Sequence, residues 1–120
     1  MCILVVEDDF LIRMILVEEL QDAGYEVRQA VTGDEAVGMI DSLDHPLEIL
    51  VTDIHMPGSR NGIDLAHHVQ ARMPEVPVIY TTGRPDALFE VSRLGAKQFL
   101  ISKPYVPDDI ITRVQLLLGG

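Results

Sequence analysis

Short apolar segments alternate with amphipathic segments along the whole sequence, and this alternation limits the available folds more than any other feature. Four apolar segments have the length of buried strands, residues 2–6, 48–52, 76–82 and 98–101, and residues 26–30 form a weaker fifth candidate. Between them, apolar residues recur every three or four positions, which is the spacing of one face of an α-helix. Strands that alternate with helices form a parallel sheet with helices on both sides. The sequence therefore predicts an α/β fold of the (βα)5 type, a doubly wound sheet of five parallel strands inside a three-layer sandwich.

Local signals predict where several of the helices begin and end. Thr32 and Glu35 have the spacing of an N-terminal capping box. The first helix is predicted over residues 11–23, with Ile15 on its buried face. A fourth helix is predicted over residues 85–95, because proline suits a first helical position and glycine a terminal cap.

Composition supports one folded domain and excludes several classes of protein. The chain has 120 residues and 48% hydrophobic residues, which fits a single domain over residues 1–120 and argues against disorder. There is no apolar run of the roughly 20 residues that span a membrane, and no signal peptide. The single cysteine, Cys2, excludes an internal disulfide and indicates a cytoplasmic location. The net charge of −10 argues against direct binding of nucleic acid by this domain.

Charged residues follow three of the predicted strands. Glu7 and Asp8 follow the first, Asp53 the third and Lys103 the fifth. The carboxyl ends of parallel strands lie at one edge of the sheet, where ligands bind. Carboxylates gathered there raise each other's pKa values unless cations compensate them. Mg²⁺ prefers a few carboxylate oxygens plus waters, and Lys103 adds a further positive charge. The pattern therefore predicts a Mg²⁺ site, for which Mn²⁺ is an alternative ion.

The same residues suit phosphoryl transfer. An aspartate such as Asp53 can act as a nucleophile and form an acyl phosphate. A metal ion and Lys103 would stabilise charge on the phosphoryl oxygens. The hydroxyl of Thr82 and backbone N–H groups near His55 and Gly83 would hold the remaining oxygens.

Five segments occur in an order that points to a known family: ILVVEDD, LVTDIHMPG, VIYTTG, GAKQF and SKPY. With them the sequence resembles the CheY-like receiver domains of two-component response regulators. The resemblance implies a flavodoxin-like fold with strand order 2-1-3-4-5. It also implies a phosphoacceptor switch rather than an enzyme, with only self-phosphorylation and dephosphorylation chemistry. The implied partners are a sensor histidine kinase or a histidine phosphotransfer protein, and a downstream protein target or output domain.

The resemblance assigns roles to individual residues at the metal site. It implies that Asp53 is the phosphoacceptor and that Asp8 and Asp53 bind Mg²⁺ directly. Glu7 would act mainly through water, and the backbone carbonyl of His55 would be a further ligand.

Other roles implied by the resemblance concern the phosphoryl group and the response to it. Thr82 matches the switching hydroxyl, Lys103 the phosphate-binding lysine, and Gly83 would offer its backbone N–H. Leu100 occupies the switch position that is often aromatic, with Phe99 beside it. The remaining assignments are His55 and Arg84 as residues that tune phosphate lifetime, and residues 85–118 as the output face, through which a homodimer would also form.

Two other functions stay open for the same residues. An Asp-nucleophile phosphatase typically needs a second acid two residues after the nucleophile, and that position is His55. A pseudo-receiver would use the fold for binding alone and would never take phosphate.

Each site residue also has a purely structural interpretation. Asp53 could cap a turn at the end of its strand, and Lys103 could be an exposed loop residue. Asp9 is expected to begin the first helix, where a carboxylate suits the helix dipole. His67 and His68, adjacent on a helix, are expected at the solvated surface.

Overall fold

The computed structural model describes residues 2–56, 58–83 and 97–119, and this part of the chain contains five strands and four helices. Their bounds are β1 (Cys2–Val6), α1 (Phe10–Asp22), β2 (Val27–Ala30), α2 (Gly33–Asp41), β3 (Leu47–Asp53), α3 (Gly62–Arg72), β4 (Val78–Thr82), β5 (Gln98–Ser102) and a C-terminal helix (Pro107–Leu118). The helix predicted over residues 85–95 lies outside the described residues, as does Arg84.

The strands form one parallel sheet in the order β2-β1-β3-β4-β5, which confirms the predicted fold class. Val6 is opposite Thr52, so β1 ends level with β3, whose last residue is Asp53. Thr82 is likewise opposite Ser102, so β4 and β5 end together. The carboxyl ends of these four strands therefore lie along one edge.

Alternate residues of the central strands pack on opposite faces of the sheet, as the period of two in a strand requires. One face packs against α2 and α3, and the other packs against α1 and the C-terminal helix. The side chains of β1 and β3 are buried along most of their length, which is typical of parallel strands covered on both faces. The molecule is therefore the predicted three-layer sandwich.

Polar residues cap three of the helices. Asp9 accepts hydrogen bonds from the N–H groups of Leu11 and Ile12, so it begins α1 as expected. The Thr32 hydroxyl accepts from the Glu35 N–H at 3.1 Å, which is one of the two hydrogen bonds of the predicted capping box. Asn61 and Asp64 cap α3 reciprocally. None of these four helices is long and apolar enough to cross a bilayer.

The buried face of α1 differs from the prediction. Leu16, Val17 and Leu20 are buried, whereas Ile15 is 43% exposed, so its assignment to the core face is wrong. The cause is the composition of the helix: apolar residues surround most of its circumference, and their spacing alone does not select one face.

Candidate functional site

Three carboxylates gather at the carboxyl ends of β1 and β3. One carboxylate oxygen each from Glu7, Asp8 and Asp53 lies within 4.8 Å of the others. Glu7 and Asp53 are buried, with relative exposures of 2% and 7%, whereas Asp8 is exposed. The gathering follows from the fold, because β1 and β3 are neighbours and end at the same level.

Lys103 reaches two of these carboxylates from the segment after β5. Its Nζ donates to Asp53 Oδ2 at 2.9 Å and to Glu7 Oε1 at 3.0 Å. Its backbone N–H donates to the carbonyl oxygen of Thr82 at 2.6 Å, which fixes the lysine to the end of β4. Lys103 is therefore held in place through both its backbone and its side chain.

Burial and charge act together on the titration of this cluster. Burial lowers the pKa of Lys103, but its hydrogen bonds to Asp53 and Glu7 outweigh that effect and raise the pKa well above its usual range. Burial raises the pKa of Glu7; the Asp9 N–H and Lys103 oppose this shift, and the negative charge of Asp53 adds to it. Lys103 has two anionic partners, whereas Glu7 has one cation and two neighbouring carboxylates, Asp53 and Asp8. The cluster thus stabilises the charge of Lys103 more than that of Glu7.

Backbone N–H groups orient the two buried carboxylates, and an arginine side chain holds the backbone of one of them. The N–H of Asp9 donates to Glu7 Oε2 at 3.1 Å, and the N–H of His55 donates to Asp53 Oδ1 at 3.3 Å. Arg13 Nη1 donates to the backbone carbonyl of Glu7 at 2.8 Å. Arg13 is not among the predicted site residues; its signal in the sequence is a lone arginine within the apolar first turns of α1, just after the acidic residues.

The start of α3 packs directly against the backbone of Asp53. A Cβ atom on Gly62 would lie 2.2 Å from the carbonyl oxygen of Asp53, so this position accepts glycine alone without displacement. The Gly62 N–H donates to the carbonyl oxygen of Ile54 at 2.8 Å. Gly62 is not among the predicted site residues, because a close approach between two backbone segments leaves no pattern in one sequence.

Thr82 and Gly83, the predicted phosphate-binding residues at the end of β4, lie at the same edge. Thr81 and Thr82 are both buried, each 2% exposed, and Gly83 is exposed directly after the strand. The backbone carbonyl of Thr82 accepts a hydrogen bond from the Lys103 N–H, which joins the end of β4 to the segment after β5. His55 is half-buried, and its Nε2 is shielded from solvent with no hydrogen-bond partner in the described part of the chain.

The two candidate switch residues of β5 pack on different faces of the sheet. Leu100 is opposite Tyr80 and packs with the cluster under α2 and α3. Phe99 packs with the other cluster, where the Arg113 guanidinium lies 5.0 Å from its ring centroid. Both are half-buried.

The donor set fits a hard divalent cation. The three clustered groups offer carboxylate oxygens, which Mg²⁺ prefers, and the exposed side of Asp8 leaves room for coordinated water. Lys103 contacts two of the three carboxylates, so within the described residues this cluster has more acidic groups than basic ones.

Comparison with known proteins agrees with this geometry. A family model described as the response regulator receiver domain matches residues 3–115. The transcriptional regulatory protein AruR of Pseudomonas aeruginosa is 33% identical, over 97% of this chain and 48% of its own length. This chain spans about half the length of the curated relatives it matches.

Solved structures share the fold closely. A response regulator receiver protein from Sinorhizobium medicae has a TM-score of 0.88 and 27% identity, covering 99% of this chain and 94% of its own. The response regulator TrrA from Thermotoga maritima, solved in complex with Mg(2+)-BeF, has a TM-score of 0.83 and 30% identity, covering 98% and 99%. Such domains bind Mg²⁺ at an acidic pocket and serve two-component response regulators as phosphoacceptor switches. The chain belongs to the response regulator receiver domain family.

Proposed function

We propose that Asp53 is the phosphoacceptor of this receiver domain and that Lys103 binds the phosphoryl group it receives. The observation that carries the proposal is the position of the Asp53 carboxylate, which accepts from the Lys103 ammonium at 2.9 Å and has an oxygen within 4.8 Å of the carboxylates of Glu7 and Asp8. The attacking group is a carboxylate oxygen, and the Lys103 ammonium that donates to Asp53 Oδ2 at 2.9 Å is placed to bind the incoming phosphoryl group.

In the proposed reaction a carboxylate oxygen of Asp53 attacks the phosphorus of a phosphohistidine on the donor. The new O–P bond forms as the P–N bond breaks, and the electron pair of the P–N bond returns to the imidazole, which leaves as the neutral ring because its other nitrogen carries a proton. The product is an acyl phosphate on Asp53 and a free histidine on the donor. Lys103 moves from pairing with Asp53 to pairing with the incoming phosphoryl oxygens, which keeps its charge compensated.

The acidic residues would divide the binding of Mg²⁺, or of Mn²⁺ in its place. Asp8 and Asp53 would bind the ion directly, and the backbone carbonyl of His55 would add a third protein ligand. Glu7 would act through water, because its two oxygens already accept from Lys103 and from the N–H of Asp9. The bound ion would supply charge stabilisation for the transferred phosphoryl group.

The response to phosphorylation is proposed to begin at β4. The hydroxyl of Thr82 and the N–H of Gly83 would bind phosphoryl oxygens, next to the segment that carries Lys103. Leu100 and Phe99 on β5 would transmit the shift through their packing, since neither can donate a hydrogen bond. His55 and Arg84 would tune the lifetime of the acyl phosphate. Residues 85–118 would form the output face and the surface of a homodimer.

The proposed context is a two-component pathway. Receiver domains interact with histidine kinases or phosphotransfer proteins and with output domains. For this chain we propose one receiver domain over residues 1–120, phosphorylated by such a donor and acting on a protein partner or an output domain. A cytoplasmic location is proposed because Cys2 is buried and unpaired, as in a reducing compartment.

The two alternative functions are not favoured. The position two residues after Asp53 is His55 and not the acid that an Asp-nucleophile phosphatase would use to protonate a leaving group. A pseudo-receiver takes no phosphate and therefore does not require a lysine that bridges two buried carboxylates.

The experiment that tests the proposal is phosphorylation by acetyl phosphate followed by intact-mass measurement. The unaltered chain should gain one phosphoryl group in the presence of Mg²⁺ and none when the metal is chelated. Asp53→Asn should gain none, whereas Asp44→Asn, which alters an exposed aspartate away from the site, should behave like the unaltered chain. A gain that persists in Asp53→Asn would disprove the assignment.

A further inference from the structure

Asp34, in the first turn of α2, accepts three hydrogen bonds from the loop that connects β3 to α3. Its Oδ2 accepts from the Ser59 N–H at 3.2 Å, and its Oδ1 accepts from the Ser59 hydroxyl at 2.7 Å. Arg60 Nη1 donates to the same Oδ1 at 2.8 Å. One carboxylate therefore holds two consecutive residues of a loop more than 20 positions away in the sequence.

Two glycines allow the loop to lie directly against the start of α2. Gly58 has a φ of +101°, in the left-handed region that favours glycine, and a Cβ there would lie 2.9 Å from Asp34 Oδ2. A Cβ on Gly33 would lie 2.9 Å from the carbonyl oxygen of Arg60. The close approach is thus built into the backbone on both sides of the contact.

The same loop carries the backbone that follows Asp53. The N–H of His55 donates to Asp53 Oδ1, and the N–H of Gly62 donates to the carbonyl oxygen of Ile54. These bonds hold the two ends of the loop near β3. The Asp34 contacts hold its outer part against a different element, α2.

We propose that Asp34 is a positioning residue for the phosphoacceptor site, which anchors the β3–α3 loop to α2 and so fixes the backbone around His55 for metal binding. The inference rests on the proposed function, because it assigns that backbone to the metal site. Hydrogen bonds from the Ser59 side chain and backbone, and then from Arg60, hold the pKa of Asp34 below its usual range, so the anchor is ionised at neutral pH.

The test compares Asp34→Ala with Asp41→Ala. Asp41 is also an exposed carboxylate on α2, and it accepts from His68 and Arg72 of α3, away from the loop. We expect Asp34→Ala to weaken Mg²⁺ binding, measured by titration calorimetry, by about threefold to tenfold, at or below the lower end of the range for residues that orient metal ligands. Asp41→Ala should leave Mg²⁺ affinity within twofold of the unaltered chain, by the same reasoning.

A second measurement needs no metal. Hydrogen exchange of the His55 and Gly62 amides, neither of which contacts Asp34, should accelerate in Asp34→Ala and not in Asp41→Ala. Ser59→Ala should reproduce part of both effects and add little when combined with Asp34→Ala, because the two residues act through one contact.

Equal losses of Mg²⁺ affinity in Asp34→Ala and Asp41→Ala would mean that the loss comes from general destabilisation of the domain, and would overturn the proposal. Unchanged affinity and exchange in Asp34→Ala would overturn it as well. If the unaltered chain binds Mg²⁺ but does not become phosphorylated on Asp53, the proposed function fails while the anchoring role stands. If the unaltered chain binds no Mg²⁺, both fail.

Discussion

The ammonium of Lys103 lies 2.9 Å from Asp53 Oδ2, although 50 positions separate the two residues in the sequence. The same ammonium contacts Glu7, 96 positions away, at the end of β1. In the sheet β5 is separated from β1 by β3 and β4, so this lysine reaches across the edge formed by their carboxyl ends. The site is therefore complete only when β1, β3, β4 and β5 have assembled.

Replacing Lys103 should lower the stability of the protein, because the clustered carboxylates would then repel one another without a compensating cation. We expect Lys103→Met to lower the free energy of unfolding by about 3 kcal/mol, the lower end for a buried ion pair that loses one partner. Added Mg²⁺ should stabilise this variant strongly, because a bound cation compensates the same carboxylates. Urea unfolding with and without Mg²⁺ measures both effects.

Lys97→Met is the matched control for that experiment. Lys97 pairs with Glu75 at the surface, where the two side chains are 46% and 88% exposed. An exposed pair contributes less than about 1 kcal/mol, so this variant should unfold almost like the unaltered chain with or without Mg²⁺. Equal losses in the two lysine variants would contradict a special role for Lys103.

Glu7→Gln should reveal the raised pKa of Glu7 through the pH dependence of stability. Burial raises the pKa of Glu7 in the folded chain above its value in the unfolded chain. The contribution of this carboxyl to folding stability is therefore complete below the unfolded pKa and is lost as pH rises through the folded pKa. Glutamine stays neutral. Thermal unfolding without Mg²⁺ should therefore show the variant gaining stability relative to the unaltered chain between about pH 4 and pH 7. A difference that stays flat over this interval would contradict the predicted shift.

The position of the acidic cluster could be predicted because it follows from two simple rules. Alternating strands and helices predict a parallel sheet, and parallel strands bring their carboxyl ends to one edge. Glu7, Asp8, Asp53 and Lys103 each follow a strand, so their meeting required no knowledge of side-chain packing. The strand order came from the family resemblance, because periodicity does not determine which strands are neighbours.

The residues that support the cluster could not be predicted in this way. Arg13 and Asp34 act through contacts between separate elements, and such contacts depend on the relative placement of those elements. The exposure of Ile15 has a related cause: in a helix that is apolar around most of its circumference, only packing selects the buried face. Sequence periodicity predicts local structure, whereas the contacts between elements and the buried face of α1 are determined by the tertiary fold.

Tyr105→Phe should alter the alkaline titration of the protein. Burial, and next the negative charge of Glu7, raise the pKa of Tyr105 to about 12. The stability that depends on the neutral phenol is present below the ordinary pKa of about 10 and is lost as pH rises through the folded value. The variant should retain more stability above about pH 10, and its absorbance titration should lack one late tyrosine step.

The Tyr105 hydroxyl is buried without a hydrogen-bond partner among residues 2–56, 58–83 and 97–119, so its removal should cost little at neutral pH. Tyr80→Phe, which changes a separate buried ring, should leave the Tyr105 step in place. Loss of the same step in both variants would mean that it does not belong to Tyr105.

Gly62→Ala should damage the site from its backbone side. The added Cβ would overlap the carbonyl oxygen of Asp53, so either α3 or the end of β3 must move. We expect a loss of about 2–3 kcal/mol in unfolding free energy, typical of overpacking, together with slower phosphorylation by acetyl phosphate. Gly38→Ala is the control, because Gly38 lies within α2 and a Cβ there would meet nothing within 4 Å. That variant should instead gain about 0.5–1 kcal/mol, since alanine favours the helix, and should be phosphorylated at the normal rate. If Gly62→Ala were as stable and as reactive as Gly38→Ala, the close packing of α3 against Asp53 would not constrain the proposed phosphoacceptor.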